Sequence, residues 1–201
     1  ISVNLVNMMY NLQLMKYYGE DGVATYGTIM YINFLFTSVF IGYSIGSSPI
    51  VGYNYGSKNY KELQNIFRKS LLTLFVFSGI ITVASVFLAG PIASIYVGYD
   101  KGLFDLTVMA FRLFATSYLI VGYNIYASAF FTALNNGLVS AAISFLRTLL
   151  FQIVCIFALP LLFGKQAIWL SITVAEAFAL VMSAVFIFTQ NKNYHYIKSK
   201  K

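Results

Sequence analysis

Two charged side chains stand alone inside long apolar runs: Arg147 in "SFLRTLLFQIVCIFALPLLFG" and Glu176 in "AIWLSITVAEAF". A buried guanidinium and a buried carboxylate can neutralise each other, or either can hold an oppositely charged ligand. Both uses are costly in an apolar medium, so such residues are read first as functional. Arg147 lies about ten residues past the "LNNG" turn, roughly 15 Å along a helix, and Glu176 about ten residues past "FGKQ". Adjacent antiparallel helices would bring the two level, either as a structural ion pair or with one or both facing a water-filled cavity. Asn4, Asn7 and Asn11 share one face of the first apolar segment and can bond a neighbouring helix or line a cavity. Asn33, Tyr118, Tyr123 and Asn124 are further candidates for substrate contact, since aromatic faces hold flat cations. Arg112, near the start of its segment, is expected to snorkel or to pair with Asp105.

The elements that would position these residues follow from composition. Hydrophobic residues make up 59% of the 201 and charged residues only 9%, against roughly a quarter charged in soluble domains. The chain reads as an all-α integral membrane protein. Six apolar segments, about 1–18, 23–53, 70–97, 107–134, 138–163 and 166–190, lack the alternation of barrel strands and predict a six-helix bundle forming a single unit over residues 1–201. Residues 191–201 form a basic tail. The start at Ile1, without a methionine or a basic leader flank, leads us to expect a fragment opening in or just before its first span.

Charge sets the expected orientation. Lys58, Lys61, Arg68 and Lys69 follow the second segment, and Lys192, Lys198, Lys200 and Lys201 follow the sixth. Four segments separate the clusters, so both fall on one side; Glu20, Asp21, Asp100 and Asp105 fall on the other. Cytoplasmic faces are lysine- and arginine-rich, so both ends are expected in the cytoplasm. The net charge of +7 then reflects topology and contact with membrane lipid, not nucleic acid.

One cysteine, Cys155, and one histidine, His195, exclude an internal disulfide, a cysteine cluster and a multi-histidine metal site. No serine–histidine–acid set or paired carboxylates occur, and no enzyme activity is expected. The stretch "SSPIVGYNYGSKNYKEL" is glycine-rich and ends in lysine, yet Gly52 and Gly56 are three residues apart and Ser57 precedes Lys58. A phosphate-binding loop needs four residues and then Gly-Lys-Ser/Thr. As a membrane helix the stretch makes sense: Gly42 and Gly46 would admit a close neighbour, Pro49 would bend the helix, and Gly52, Asn54 and Gly56 would end it. "KNYKELQNIFRKS" would then be a short interfacial segment.

"GSSPIVGYNYGSKNYKEL" also resembles the sequence following the eighth span of multidrug and toxic compound extrusion (MATE) transporters. "FRLFATSYLIVGYNIYASAFFTALNNG" is similar to their tenth span, "SFLRTLLFQIVCIFALPLLFG" to the eleventh and "AIWLSITVAEAF" to the start of the twelfth. The resemblance covers essentially the whole chain, in order. It implies the C-terminal six-helix lobe of a secondary antiporter that exports organic, often cationic, compounds against Na⁺ or H⁺ entry. Two lobes would rock about a central cavity in the cell membrane, with no cofactor beyond the coupling ion and with an N-terminal lobe as partner. Na⁺-coupled members carry an acid in the span that here has only asparagines, which shifts expected coupling to an acid in the other lobe. Two rivals remain: a flippase for lipid-linked oligosaccharide or peptidoglycan precursors, which would use several cavity cations, and a non-transporting membrane scaffold.

Overall fold

The computed structural model describes residues 2–197. Ile1 and the last lysines of the basic tail, Lys198, Lys200 and Lys201, lie outside the described residues. Among the described residues the chain is helical throughout, without strands: α1 (Ser2–Tyr18), α2 (Glu20–Gly56), α3 (Tyr60–Val97), α4 (Lys101–Ala115), α5 (Tyr118–Ala133), α6 (Gly137–Phe145), α7 (Phe151–Phe163) and α8 (Ser171–Tyr194). A π-helical turn, Leu146–Leu150, joins α6 to α7, and a 3₁₀ segment, Lys165–Leu170, leads into α8. Four runs are long and apolar enough to cross a membrane: α2, α3, Gly137–Phe163 and Lys165–Tyr194. The pair α4 and α5, bent by 47°, makes a fifth if counted as one span; α1 has 17 residues.

Helix α5 is the hub, packing on α2, α3, α6 and α8, while α1 closes the bundle between α2 and α7. The core is aromatic: Phe40, Phe111, Phe114, Tyr118, Tyr126, Phe130 and Phe131 are fully buried. Gly122 allows this packing, since a Cβ there would lie 2.5 Å from Cδ1 of Phe40. Outward positions such as Phe34, Phe75, Phe87, Leu138 and Leu161 are exposed, as a lipid-facing surface requires.

Several elements differ from expectation. Helix α3 begins at Tyr60, so "KNYKELQNIFRKS" is not a separate interfacial segment but largely the start of a helix of 38 residues, capped by the Asn59 side chain on the Glu62 amide. Helix α2 continues through Pro49, the position expected to bend it, as far as Gly56. Its end is not made by Gly56: Lys58 takes the left-handed conformation, and the amides of Lys58 and Asn59 bond the carbonyls of Tyr55 and Asn54. These two bonds form a Schellman motif. The α5–α6 turn, within "LNNG", repeats it with Asn135 left-handed. The apolar run 107–134 starts earlier, at Lys101, and breaks at Thr116–Ser117. There the Thr116 hydroxyl donates to the Leu113 carbonyl at 2.7 Å and pairs with the Thr173 hydroxyl at 2.9 Å. This side chain shares the Leu113 carbonyl with the Thr116 amide, in competition with the helix ladder. Gly42 and Gly46 are exposed, and nothing of the chain lies within 4 Å of a Cβ built at either, so they admit no neighbouring helix of this bundle. Gly52 is a close-approach position: a Cβ there would lie 3.3 Å from the Ala133 carbonyl at the end of α5.

The basic end of the bundle is tied together. Gln64 Nε2 donates to the His195 carbonyl at 2.8 Å, and the Tyr55 and Tyr194 rings lie 5.3 Å apart. The start of the expected basic tail is anchored: Tyr196 is buried among Phe67, Phe130 and Phe131 and donates to the Ile187 carbonyl at 2.6 Å.

Candidate ion-pair cleft

Arg147 and Glu176 meet. Nε of Arg147 donates to both carboxylate oxygens of Glu176, at 2.8 and 3.0 Å, in the one salt bridge among the described residues. Arg147 projects from the π-helical turn, where the backbone is wider than in an α-helix and the preceding ladder is interrupted. Glu176 lies in the second turn of α8. Its side chain is 2% exposed, against 17% for Arg147. The acid is therefore the deep partner and the guanidinium its cover.

Behind the acid stands Asn124 of α5. Its Nδ2 donates to the Glu176 backbone carbonyl at 2.9 Å and to Oε2 at 2.8 Å, while its Oδ1 accepts from the Ser183 hydroxyl at 3.1 Å. A carboxylate held by a guanidinium and an amide has acceptors satisfied from two sides, which offsets much of its desolvation.

The pair forms one wall of a cleft of about 310 Å³ that reaches across the bundle. Asn7 of α1, Asn33 and Thr37 of α2, Ser117 at the α4–α5 break, and Thr148 and Gln152 beside Arg147 complete its polar lining; Val6, Met30, Phe114 and Ile172 supply apolar surface. Asn7 is oriented by Tyr26, whose hydroxyl donates to Asn7 Oδ1 at 2.9 Å and whose ring stacks on Tyr10 with centroids 4.5 Å apart.

Four predicted positions thus converge in the cleft: Asn7, Asn33, Arg147 and Glu176. Others do not. Asn124 and Tyr118 are completely buried and contribute no cleft surface: one spends its polar atoms on Glu176 and Ser183, and the other packs on Phe36 and Phe114. Asn4 and Asn11 lie with Asn7 on a separate open depression of about 530 Å³ along α1, so the asparagine stripe touches the cleft through Asn7 alone. Tyr123 is half-buried and outside the cleft lining. Arg112 is exposed and forms no ion pair with Asp105 among the described residues. Of the helix-shaping residues, Asn54 is buried and its Nδ2 donates to the Ile50 carbonyl at 2.9 Å, inside its own helix. Sequence reasoning missed Tyr26, Thr148 and Gln152. Tyr26 carries no distinguishing signal among 16 tyrosines, whereas Thr148 and Gln152 sit close enough to Arg147 in sequence to have been considered with it.

The MatE family model matches residues 1–157. No curated protein matches the sequence. Among solved structures, an outward-facing conformation of a multidrug resistance MATE family transporter of the MOP superfamily superimposes with a TM-score of 0.88 at 17% identity, over 96% of this chain and 44% of that one. An inward-facing conformation of such a transporter gives 0.88 at 16% identity, over 98% of this chain and 46% of that one. A MOP superfamily transporter from Pyrococcus furiosus, described as having a binding pocket of reverse polarity, gives 0.83 at 19% identity, over 99% of this chain and 44% of that one. The chain spans less than half the length of each, and the likeness is one of fold: an all-helical, multi-pass membrane protein.

Proposed function

Because the chain belongs to the MatE family, we propose that it works as the C-terminal lobe of a two-lobe antiporter, exporting organic, often cationic, compounds against Na⁺ or H⁺ entry. One observation carries this reading: a deep carboxylate, Glu176, lies in the wall of a polar and apolar cleft and is covered by the more exposed Arg147. A cationic substrate entering the cleft competes with the guanidinium for Glu176, while Asn7, Asn33 and Gln152 offer neutral hydrogen bonds around it. Displacing Arg147 uncouples the π-helical turn from α8, so cleft occupancy alters how these elements pack. A binding event that favours one packing over another shifts the balance between inward- and outward-open states. The equal likeness of this lobe to outward- and inward-facing structures, 0.88 in each case, supports rocking of a lobe that keeps its shape. The first helix brings one asparagine, Asn7, and no acid to the cleft, which favours coupling through an acid of the other lobe. A flippase that holds pyrophosphate is disfavoured because the cleft's single cation already engages Glu176.

The test is efflux of a fluorescent organic cation from cells expressing the complete transporter. Glu176→Gln keeps the shape of the side chain and its bond from Asn124 but removes the charge. Efflux is expected to fall at least tenfold at equal expression; unaltered efflux would rule out the role of Glu176.

A further inference from the structure

A second cavity, unconnected with the ion pair, lies at the basic end of the bundle. It is a groove of about 710 Å³ between the first turns of α3 and the last turns of α8. Its floor is apolar, from Phe67, Leu71, Ala184, Ile187 and Phe188, and it is closed at one end by Tyr196 and Ile197. Its rim carries Lys61 and Arg68, both exposed and neither in an ion pair among the described residues. The rim's one acid, Glu62, accepts from Asn65 Nδ2 at 3.0 and 3.2 Å. The groove is held open by fixed parts: Asn191 brackets Ile197 through Oδ1 on its amide at 2.7 Å and Nδ2 on its carbonyl at 3.3 Å, and Gln64 holds His195.

We propose that this groove binds an anionic membrane phospholipid. Its phosphate would rest between Lys61 and Arg68, and the first part of an acyl chain would run along Leu71, Ile187 and Phe188. Three features fit that occupant together. Helix α3 passes here from its basic first turns to its apolar length, the change in surroundings that a lipid makes between headgroup and chain. The cations are spaced along the rim above an apolar floor, so one amphiphile meets both. The surface around it carries further positive charge on Lys58, Lys69 and Lys192, and anionic lipid gathers on cytoplasmic leaflets, where basic residues draw it by about 1 kcal/mol each.

Phe188, 69% exposed on the groove wall, is the site for a probe. The complete transporter carrying Phe188→Trp is placed in neutral detergent and titrated with chain-brominated phosphatidylglycerol or phosphatidylcholine, with the unsubstituted protein as background. Quenching by phosphatidylglycerol is expected at a mole fraction at least fivefold lower than by phosphatidylcholine. Adding Lys61→Gln and Arg68→Gln should erase that preference, at roughly fivefold per cation, while phosphatidylcholine quenching stays unchanged. Equal quenching by the two lipids without those substitutions, a comparison made within one folded protein, would overturn the proposal. So would a preference that survives loss of both cations. Competition by inorganic phosphate at concentrations that leave the detergent unaffected would assign the site to a free phosphate and overturn the lipid.

Discussion

Glu176 is almost wholly withdrawn from solvent, and its charge is balanced by Arg147 and steadied by Asn124. Deleting either partner of such a pair orphans a charge in a low dielectric, which costs about 3–5 kcal/mol. Arg147→Ala and Glu176→Ala should each lower the midpoint of thermal unfolding, and the double variant should recover much of the loss. Strictly additive losses in that cycle would mean the two side chains do not act together. The pair was legible in the sequence because charges are rare in apolar runs and because equal depth can be counted from the turns. Its third member was legible as a polar residue but not in its role. Which face of α5 meets α8 depends on packing among aromatic residues, which the sequence around Asn124 does not record. For the same reason Tyr118 reads like a cavity tyrosine and is in fact core.

At the level of elements, composition marks where helices are, while their ends depend on backbone bonds that composition does not report. The α2–α3 and α5–α6 turns share one design, a Schellman motif with a non-glycine residue left-handed, followed by an asparagine that caps the next helix. In both, the conspicuous glycine, Gly56 or Gly137, stands two residues from the left-handed residue and not at it. The break between α4 and α5 lacks both proline and glycine, the usual warnings, and is accompanied by the bonds of the Thr116 hydroxyl to Leu113 and Thr173. Glycines inside helices likewise divide by surroundings that only packing reveals. Gly122→Ala would drive a methyl against the Phe40 ring and should destabilise by about 1–3 kcal/mol, the range for an overpacked core. Gly42→Ala, with open space around it, should leave the unfolding midpoint unchanged or slightly raised. Equal responses of the two variants would remove the distinction.

For the whole molecule, the contact between Gln64 and His195 puts the start of α3 and the end of α8 at one end of the bundle. With the excess of basic residues there, that end is expected in the cytoplasm. Cysteines at Lys61 and Lys192, in a background with the buried Cys155 replaced by alanine, should react with an impermeant thiol reagent in inverted vesicles and not in intact cells. Labelling of either from outside would reverse the orientation. Continuity of α3 has a further mechanical consequence. Its 38 residues make a rod of roughly 57 Å at about 1.5 Å per residue, against a hydrocarbon layer of about 30 Å. Even when tilted, the rod extends past the lipid at its basic end, and its one proline, Pro91, lies toward the opposite end. On the proposed rocking of the lobe the rod is a lever arm: a small rotation within the membrane becomes a larger sweep of the tip, and the tip's travel is a direct gauge of that rotation.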